Sequence, residues 1–274
     1  VSEYKVGVVG LGFVGGALKK SFEGRGQKVV GYDKYKEVGT LEDVRATEIL
    51  FLCLPTPFVE GHGYDLSCLE DVCRQLAPQR TLRGTPTKKG FSGIIVNKST
   101  VEPGVTSMLA DKFSLNMCHN PEFLTARTAF RDFDNQTHIV LGKANEELDL
   151  GSLHQLYRGL FPKADISICS SNESESMKLF CNDFYAVKVQ MFNEFFLLCQ
   201  RTGADFDKVK QMMLMNGWIN EMHTVVPGPD GQLSYGGACF IKDTKALNHF
   251  MKTKGTPNKV LDACIKERDE MRKD

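Results

Sequence analysis

Gly10, Gly12 and Gly15, within "YKVGVVGLGFVGGAL" (Tyr4 to Leu18), limit what this chain can fold into more than any other stretch. An apolar strand runs straight into a glycine turn, and a helical pattern follows through Ser21. In GxGxxG spacing the first glycine permits the tight turn and the second lets a pyrophosphate approach the backbone. The third lets helix and strand pack closely, leaving the helix N-terminus facing the anion. A second strand, "QKVVGYD", ends at Asp33, about 20 residues on. An acid there takes both ribose hydroxyls of adenosine and repels a 2′-phosphate, so the pattern predicts NAD rather than NADP. Lys34 works against that preference. The alternative is a glycine-rich turn with a surface aspartate.

Strand–helix alternation continues and supports a doubly wound α/β sheet. "EILFLCL" (Glu48 to Leu54) is a short apolar strand ended by "PTP". "DLSCLEDVCRQLA" has helical periodicity, with Leu66, Leu69, Val72, Cys73 and Leu76 on one face. "SGIIVNKST" reads as a buried strand with "VEPG" entering the next helix, and "HIVLG" and "ADISIC" read as later strands. Ligands of such sheets lie beyond the carboxyl ends of the strands. Thr56, Ser99, Thr100 and the Asn120-Pro121-Glu122 turn all fall at such ends and outline a polar crevice, each with ordinary loop chemistry as its alternative.

From Asn172 the character changes. "NESESMKLFCNDFYAVKVQMFNEFFLLCQRTG" holds no Pro or Gly before Gly203, which predicts one long helix. Its apolar residues wrap most of the circumference around Phe192 to Leu198, as expected of a helix buried between subunits or domains. Lys178 and Asn182 share a face, with Glu175 one turn earlier; alone, that pattern reads as a solvated polar stripe. A second helix follows in "GADFDKVKQMM", then "VPGPDGQLSYGGACFIKD" as a loop, then a final helical region from Asp243 to Asp274. Met212, Met213 and Met215 read as core filling, and His223 as a surface, capping or ligand residue.

Composition excludes several classes. Acidic and basic residues balance at 34 each, which argues against a nucleic-acid-binding surface. No signal-peptide pattern and no membrane-length apolar run is present. The nine cysteines lack CxxC spacing, so thiols in a reducing cytoplasm are expected rather than disulfides or a metal site.

"GLGFVG", "CLPTP", "KST", "NPEFL", "KLFCNDFYAVKVQMFNE" and "GGACFIKD", in this order from residue 4 to about residue 250, resemble the UDP-glucose 6-dehydrogenase family of nucleotide-sugar dehydrogenases. The resemblance implies a Rossmann-like NAD-binding domain over 1–171. It implies a long central helix and a smaller all-α dimerisation and substrate domain over 172–274. It further implies a cytoplasmic homodimer, built around the central helix, that oxidises the sixth carbon of a UDP-sugar to a carboxylate with two NAD⁺. Cys239 takes the nucleophile's place, trapping an aldehyde as a thiohemiacetal that becomes a thioester. Gly236 and Gly237 let the backbone lie against the sugar. Lys178 and Asn182 stabilise negative charge on oxygen, and Asp243 handles protons. Thr100 and Glu122 position water or substrate, with Glu122, Phe123 and Leu124 bordering the sugar. Gly10, Gly12, Gly15, Asp33, Thr56 and Ser99 contact NAD.

The chain departs from the family's pattern in four places. Ala126 stands where many relatives carry a second Glu, which predicts slower hydrolysis. Trp218-Ile219-Asn220 replaces "RIG", and Ile241 replaces a Pro or Gln. Relatives continue into a second nucleotide domain that holds the UDP; this sequence reads as a short form ending in a charged helix, for which weak UDP-sugar binding is expected. Competing readings are the same chemistry on GDP-mannose or a UDP-N-acetylhexosamine, a catalytically impaired NAD-binding dimer, and a one-step hydroxyacid dehydrogenase of the 6-phosphogluconate type.

Overall fold

Strands buried on both faces need nearly continuous apolar sequence, and three four-residue runs here meet that condition: VGVV, ILFL and IIVN, buried at every position. They lie in a computed structural model of the protein that describes residues 4–80, 86–125 and 127–273. The elements in chain order are β1 (Val6–Val9), α1 (Phe13–Gly24), β2 (Val29–Tyr32), α2 (Leu41–Arg45), β3 (Ile49–Leu52), β4 (Phe58–Val59), β5 (Gly63–Tyr64), α3 (Ser67–Leu76), β6 (Gln79–Arg80), β7 (Pro86–Lys88) and β8 (Ile94–Asn97). They continue as α4 (Val105–Phe113), β9 (Met117–His119), α5 (Ala129–Asp134), β10 (His138–Lys143), α6 (Gly151–Leu160), β11 (Asp165–Ser170), α7 (Ser171–Thr202), α8 (Phe206–Met215), α9 (Ala238–Thr253) and α10 (Lys259–Met271). The chain groups into two compact units: Val1–Thr56 with Asp65–Lys178, and Pro57–Tyr64 with Leu179–Asp274.

The first unit holds a seven-stranded sheet in the order β11-β10-β9-β8-β3-β1-β2. Five strands are parallel; β10 is antiparallel to β9 and parallel to β11, so the last two run against the rest. Alternate strand residues feed two cores, as period-2 geometry requires. Val6, Val8, Ile49, Phe51 and Val96 pack with Phe22, Leu153, Tyr157 and Phe161 from α1, α6 and the residue after α6. Val9, Leu50, Leu52 and Ile95 pack with Leu69, Val72, Cys73 and Leu76 of α3 and with Leu109 of α4. Helices on both faces make the sheet doubly wound, as expected. The register sets Tyr32, Val9, Leu52, Asn97 and His119 in one row at the carboxyl edge. The residues that follow them are Asp33, Gly10, Cys53, Lys98 and Asn120, so one edge collects most of the polar groups singled out above.

Helix α7 begins where a Ser-x-x-Glu box predicts a start. Glu173 accepts from the Ser170 N–H at 2.8 Å, and the Glu173 N–H donates to Ser170 Oγ at 3.3 Å. It runs 32 residues, about 48 Å, and stops at Gly203, whose φ of 76° is left-handed. Asp205 then caps α8 through the Lys208 N–H.

The second unit is helical apart from the antiparallel β4–β5 hairpin, which comes from far upstream and so departs from a purely α-helical expectation. Two further expectations are corrected. The last helical region starts at Ala238, not Asp243, and is two helices, α9 and α10; Asp274 lies outside the described residues. Met213 packs against a core with Phe192 and Phe206, but Met212 and Met215 are exposed. Met212 and Met215, three residues apart, share one face of α8, while Met213 lies about 100° round the helix from Met212, so the three cannot share one buried side.

Candidate active site

In the first unit the glycine loop is shaped by crowding. Gly10 has φ 86°, and a Cβ there would sit 2.4 Å from the Cys53 carbonyl oxygen. A Cβ on Gly15 would sit 1.9 Å from the Gly10 carbonyl oxygen, so helix and turn touch backbone to backbone. Gly12, the residue before α1, has open space where its Cβ would be. That is the cradle a pyrophosphate needs at a helix N-terminus. Asp33 Oδ2 accepts the Leu11 N–H at 2.8 Å, and Oδ1 accepts the Tyr35 and Lys36 N–H groups. Burial raises its pKa, but these three donors outweigh burial and hold the carboxyl below its usual range. The cation brought to this loop is Lys36, whose Nζ donates to the Leu11 carbonyl at 2.5 Å.

Thr56 and Ser99 fasten the loops after β3 and β8 together. Thr56 Oγ1 donates to the Thr100 carbonyl at 2.7 Å; Ser99 Oγ donates to the Leu54 carbonyl and accepts the Leu54 N–H. Beyond β9, Glu122 Oε2 accepts the Leu124 N–H at 2.6 Å, while Oε1 stands 3.5 Å from Lys178 Nζ. The Lys178 ammonium lies 5.0 Å from the centre of the Phe123 ring, and Phe123 is itself exposed. Leu124 packs on the larger core. Ala126 lies outside the described residues.

Sequence reasoning missed the groups beneath this pair. Lys98 is buried and donates to both the carbonyl and the side-chain oxygen of Asn120, at 3.0 and 2.8 Å. Burial pushes its pKa down to about 8, with Cys53 and Glu122 opposing and Lys178 adding to the shift. His119 Nδ1 bonds Ser174 Oγ at 2.8 Å, and burial pushes the imidazole down to about 3, so it is neutral. Glu175 is no solvated stripe: it is fully buried and accepts the Gly104 and Thr106 N–H groups at 2.6 and 2.8 Å, capping α4. The only sequence signal for Lys98 was its place in "KST".

In the second unit Cys239 is the second residue of α9, not in a loop, and follows Ala238 and the cap residue Gly237, whose φ is 79°. The unpaired amide groups of a first helical turn favour negative charge. Of the nine cysteines only Cys239 is exposed, and none forms a disulfide. Burial pushes Cys53 and Cys73 up to about 12 and Cys264 up to about 11, so those thiols stay protonated. One turn on, Asp243 is fully buried. Its Oδ2 accepts Asn182 Nδ2 at 2.7 Å; its Oδ1 accepts Tyr64 Oη and, at 2.5 Å, Lys242 Nζ. A saturated carboxylate therefore fixes which way the Asn182 amide faces. Beside Asn182, Asp183 is buried, and neither of its oxygens has a hydrogen-bond partner among the described residues. Burial, reinforced by Asp243 and opposed by Lys242, pushes it up to about 8. His223 stacks on Tyr185 at 4.6 Å.

Family models cover most of the chain. Residues 38–161 match the NAD-binding domain of the UDP-glucose/GDP-mannose dehydrogenase family, and residues 172–269 match its central domain. The chain belongs to this family. It is a family of NAD-dependent nucleotide-sugar dehydrogenases, and NAD is its cofactor. The match begins after the glycine loop, so Gly10, Gly12, Gly15 and Asp33 rest on their own geometry, which fits the dinucleotide. A UDP-glucose 6-dehydrogenase of Rickettsia bellii is 30% identical over 84% of this chain and 51% of that protein. A GDP-mannose 6-dehydrogenase of Azotobacter vinelandii is 28% identical over 89% of this chain and 64% of that protein. The solved UDP-glucose dehydrogenase of Pyrobaculum islandicum shares the fold, with a TM-score of 0.84 over 98% of this chain and 68% of that one, at 24% identity. The chain thus spans about half to two thirds of the length of these relatives. Among the described residues, no helix is long and apolar enough to cross a membrane, and no cluster of three or more His, Cys, Asp or Glu is placed to hold a metal ion.

Within this family the Asp33 geometry carries a cofactor prediction. A 2′-phosphate would meet a carboxylate whose oxygens are already committed to backbone donors. The expected preference for NAD⁺ over NADP⁺ is on the order of 1–3 kcal/mol, roughly ten- to a hundredfold in kcat/KM. Initial rates with the two cofactors measure it; equal efficiency would show that Lys36 offsets Asp33.

Proposed function

We propose that the chain oxidises the sixth carbon of a nucleotide-linked hexose, UDP-glucose, from alcohol to carboxylate through a thiohemiacetal and a thioester on Cys239. The observation that carries this reading is the single exposed thiol at the start of α9, behind a glycine of positive φ. Bound NAD⁺ supplies the oxidising power, one hydride acceptor for each two-electron step. Lys178 and Asn182 stabilise negative charge on the sugar oxygen as the alcohol loses its proton. The Cys239 sulfur then adds to the aldehyde carbon, and the new hydroxyl loses its proton as the thioester forms. Water, oriented by Glu122 and Thr100, cleaves the carbon–sulfur bond and returns the thiol. In sum, one alcohol and one water give one carboxylate, two NADH and three protons. Asp243 holds Asn182 in its donating orientation throughout.

The test is stoichiometric. Purified protein with NAD⁺ and limiting UDP-glucose should yield two NADH per sugar. A yield of one means that oxidation stops at the aldehyde, and none points to an impaired dimer or to a one-step hydroxyacid dehydrogenase, which has no substrate here. The same assay on GDP-mannose and a UDP-N-acetylhexosamine decides the sugar.

We further infer that α7 pairs two copies of the chain. Phe180, Phe184, Met191 and Leu198 are all exposed, and their spacings of four, seven and seven residues set them on one side of the helix. Two such stripes face to face cover each other, the form a two-fold interface takes. Sedimentation at micromolar concentration should give twice the chain mass, and Phe184→Lys should shift it toward the monomer. A wild-type monomer with a folded circular-dichroism spectrum would refute the pairing.

A further inference from the structure

The two glycines before Cys239 are glycine for different reasons. Gly237 has φ 79° and open space around its Cβ position, so its requirement is conformational. Gly236 has no positive φ; a Cβ there would lie 2.1 Å from Arg272 Nη2 and 2.2 Å from its Cζ. Its requirement is space, and an arginine just past α10 occupies that space. The Arg272 side chain is almost wholly buried and pairs with Asp230 Oδ2 at 2.5 Å. Arg268, one turn earlier and also buried, donates from Nε to the Tyr235 carbonyl at 3.1 Å. Upstream, the Ser234 N–H donates to Asn193 Oδ1 at 2.9 Å, and Ser234 Oγ donates to Gln190 Oε1 at 2.5 Å. Three successive residues are therefore fixed by four side chains: Ser234 is bonded to Gln190 and Asn193 of α7, Tyr235 is bonded by Arg268, and Gly236 is packed against Arg272. The backbone turn at Gly237 and the first turn of α9 follow at once.

We propose that Arg272 is a positioning residue for the Cys239 thiol, wedged into the notch left by Gly236 and locked there by Asp230, so that the α9 N-terminus starts from a fixed point. A planar guanidinium suits this place because it fills a flat gap while keeping its ion pair, which a lysine cannot do. Small displacements of a reacting atom weaken catalysis steeply. The consequence for turnover rests on the proposed role of Cys239; the mechanical consequence does not.

Hydrogen exchange read by mass spectrometry tests the brace without any assay of activity. In Arg272→Gln, amides across Ile241–Thr244, the first that α9 bonds within itself, should exchange about tenfold faster, with those of β1, β3 and β8 unchanged. Asp230→Asn, which frees the guanidinium without altering its fit, should do the same to a smaller extent and guards against misfolding of the first variant. The size swap gives the sharper outcome. Gly236→Ala should loosen the turn in the wild-type background and add nothing in Arg272→Ala, because the collision is gone. In steady state, Arg272→Gln should lower kcat about tenfold or more with KM for NAD⁺ unchanged. Unchanged exchange at 241–244 in all variants, or additive effects in the size swap, would overturn the proposal. Altered exchange in a protein that never oxidises a sugar would leave the brace standing and remove the proposed function instead.

Discussion

Cys239→Ser should abolish conversion of the sugar to its acid, with the steady-state rate falling at least about a thousandfold and NAD⁺ affinity unchanged. A serine hydroxyl stays protonated near neutrality and gives no activated ester, so the covalent trap is lost although the volume is nearly kept. The remaining eight cysteines offer no substitute: none is exposed, and burial raises Cys53, Cys73 and Cys264 to about 11 or 12. Product analysis should find no carboxylate, and at most aldehyde-level oxidation in a single turnover. Near-normal carboxylate production by the serine variant would show that the reaction does not pass through sulfur.

Asp183→Asn should stabilise the protein, by an amount that grows with pH. Asp183 is nearly inaccessible, both its oxygens lack hydrogen-bond partners among the described residues, and burial pushes its pKa up to about 8 from 3.8. Below about pH 4 folded and unfolded chains both carry the proton, and the group is neutral in its effect. Between about pH 4 and 8 only the folded chain keeps it, so the unfolded state binds fewer protons and stability falls as pH rises, by about 1.4 kcal/mol per unit. Asparagine has no proton to lose, so the variant escapes this slope. Urea denaturation at pH 5 and pH 8 should show the gain widening by on the order of 3 kcal/mol. Glu175 and Glu194, both raised to about 6, slope the same way in both proteins and cancel in the difference. An equal gain at both pH values would mean that Asp183 is ionised in the fold.

Where function depends on neighbours in sequence, the sequence was readable. The glycine loop, the buried strands and α7 are written in local spacing, and α7 starts and stops at its own Ser-x-x-Glu box and Gly203. The reversal of β10 and β11 was not readable, because an apolar run carries no sign of strand direction. Glu175 looked solvated because its partners, Gly104 and Thr106, lie some 70 residues away and are backbone groups. Cys239 was placed in a loop because Gly236 and Gly237 are loop-like residues, yet α9 starts at Ala238 directly behind them. Lys178 and Asn182 were legible as a pair on α7, but the burial of Asp183, the residue after Asn182, was not.

The hydrogen bond from Tyr64 to Asp243 joins residues 179 positions apart. On a ribosome adding about 5–20 residues each second, the hairpin holding Tyr64 emerges roughly 10–35 seconds before the helix that receives it. Its neighbours on either side can meanwhile enter the growing sheet, since β3, α3 and β8 lie within one continuous stretch of chain. Until α9 is made, the hairpin lacks the Asp243 partner of Tyr64. The unit carrying Cys239 is therefore completed after the sheet, and a chain that ends between β11 and α9 holds the sheet and the β4–β5 hairpin without the helix that receives Tyr64.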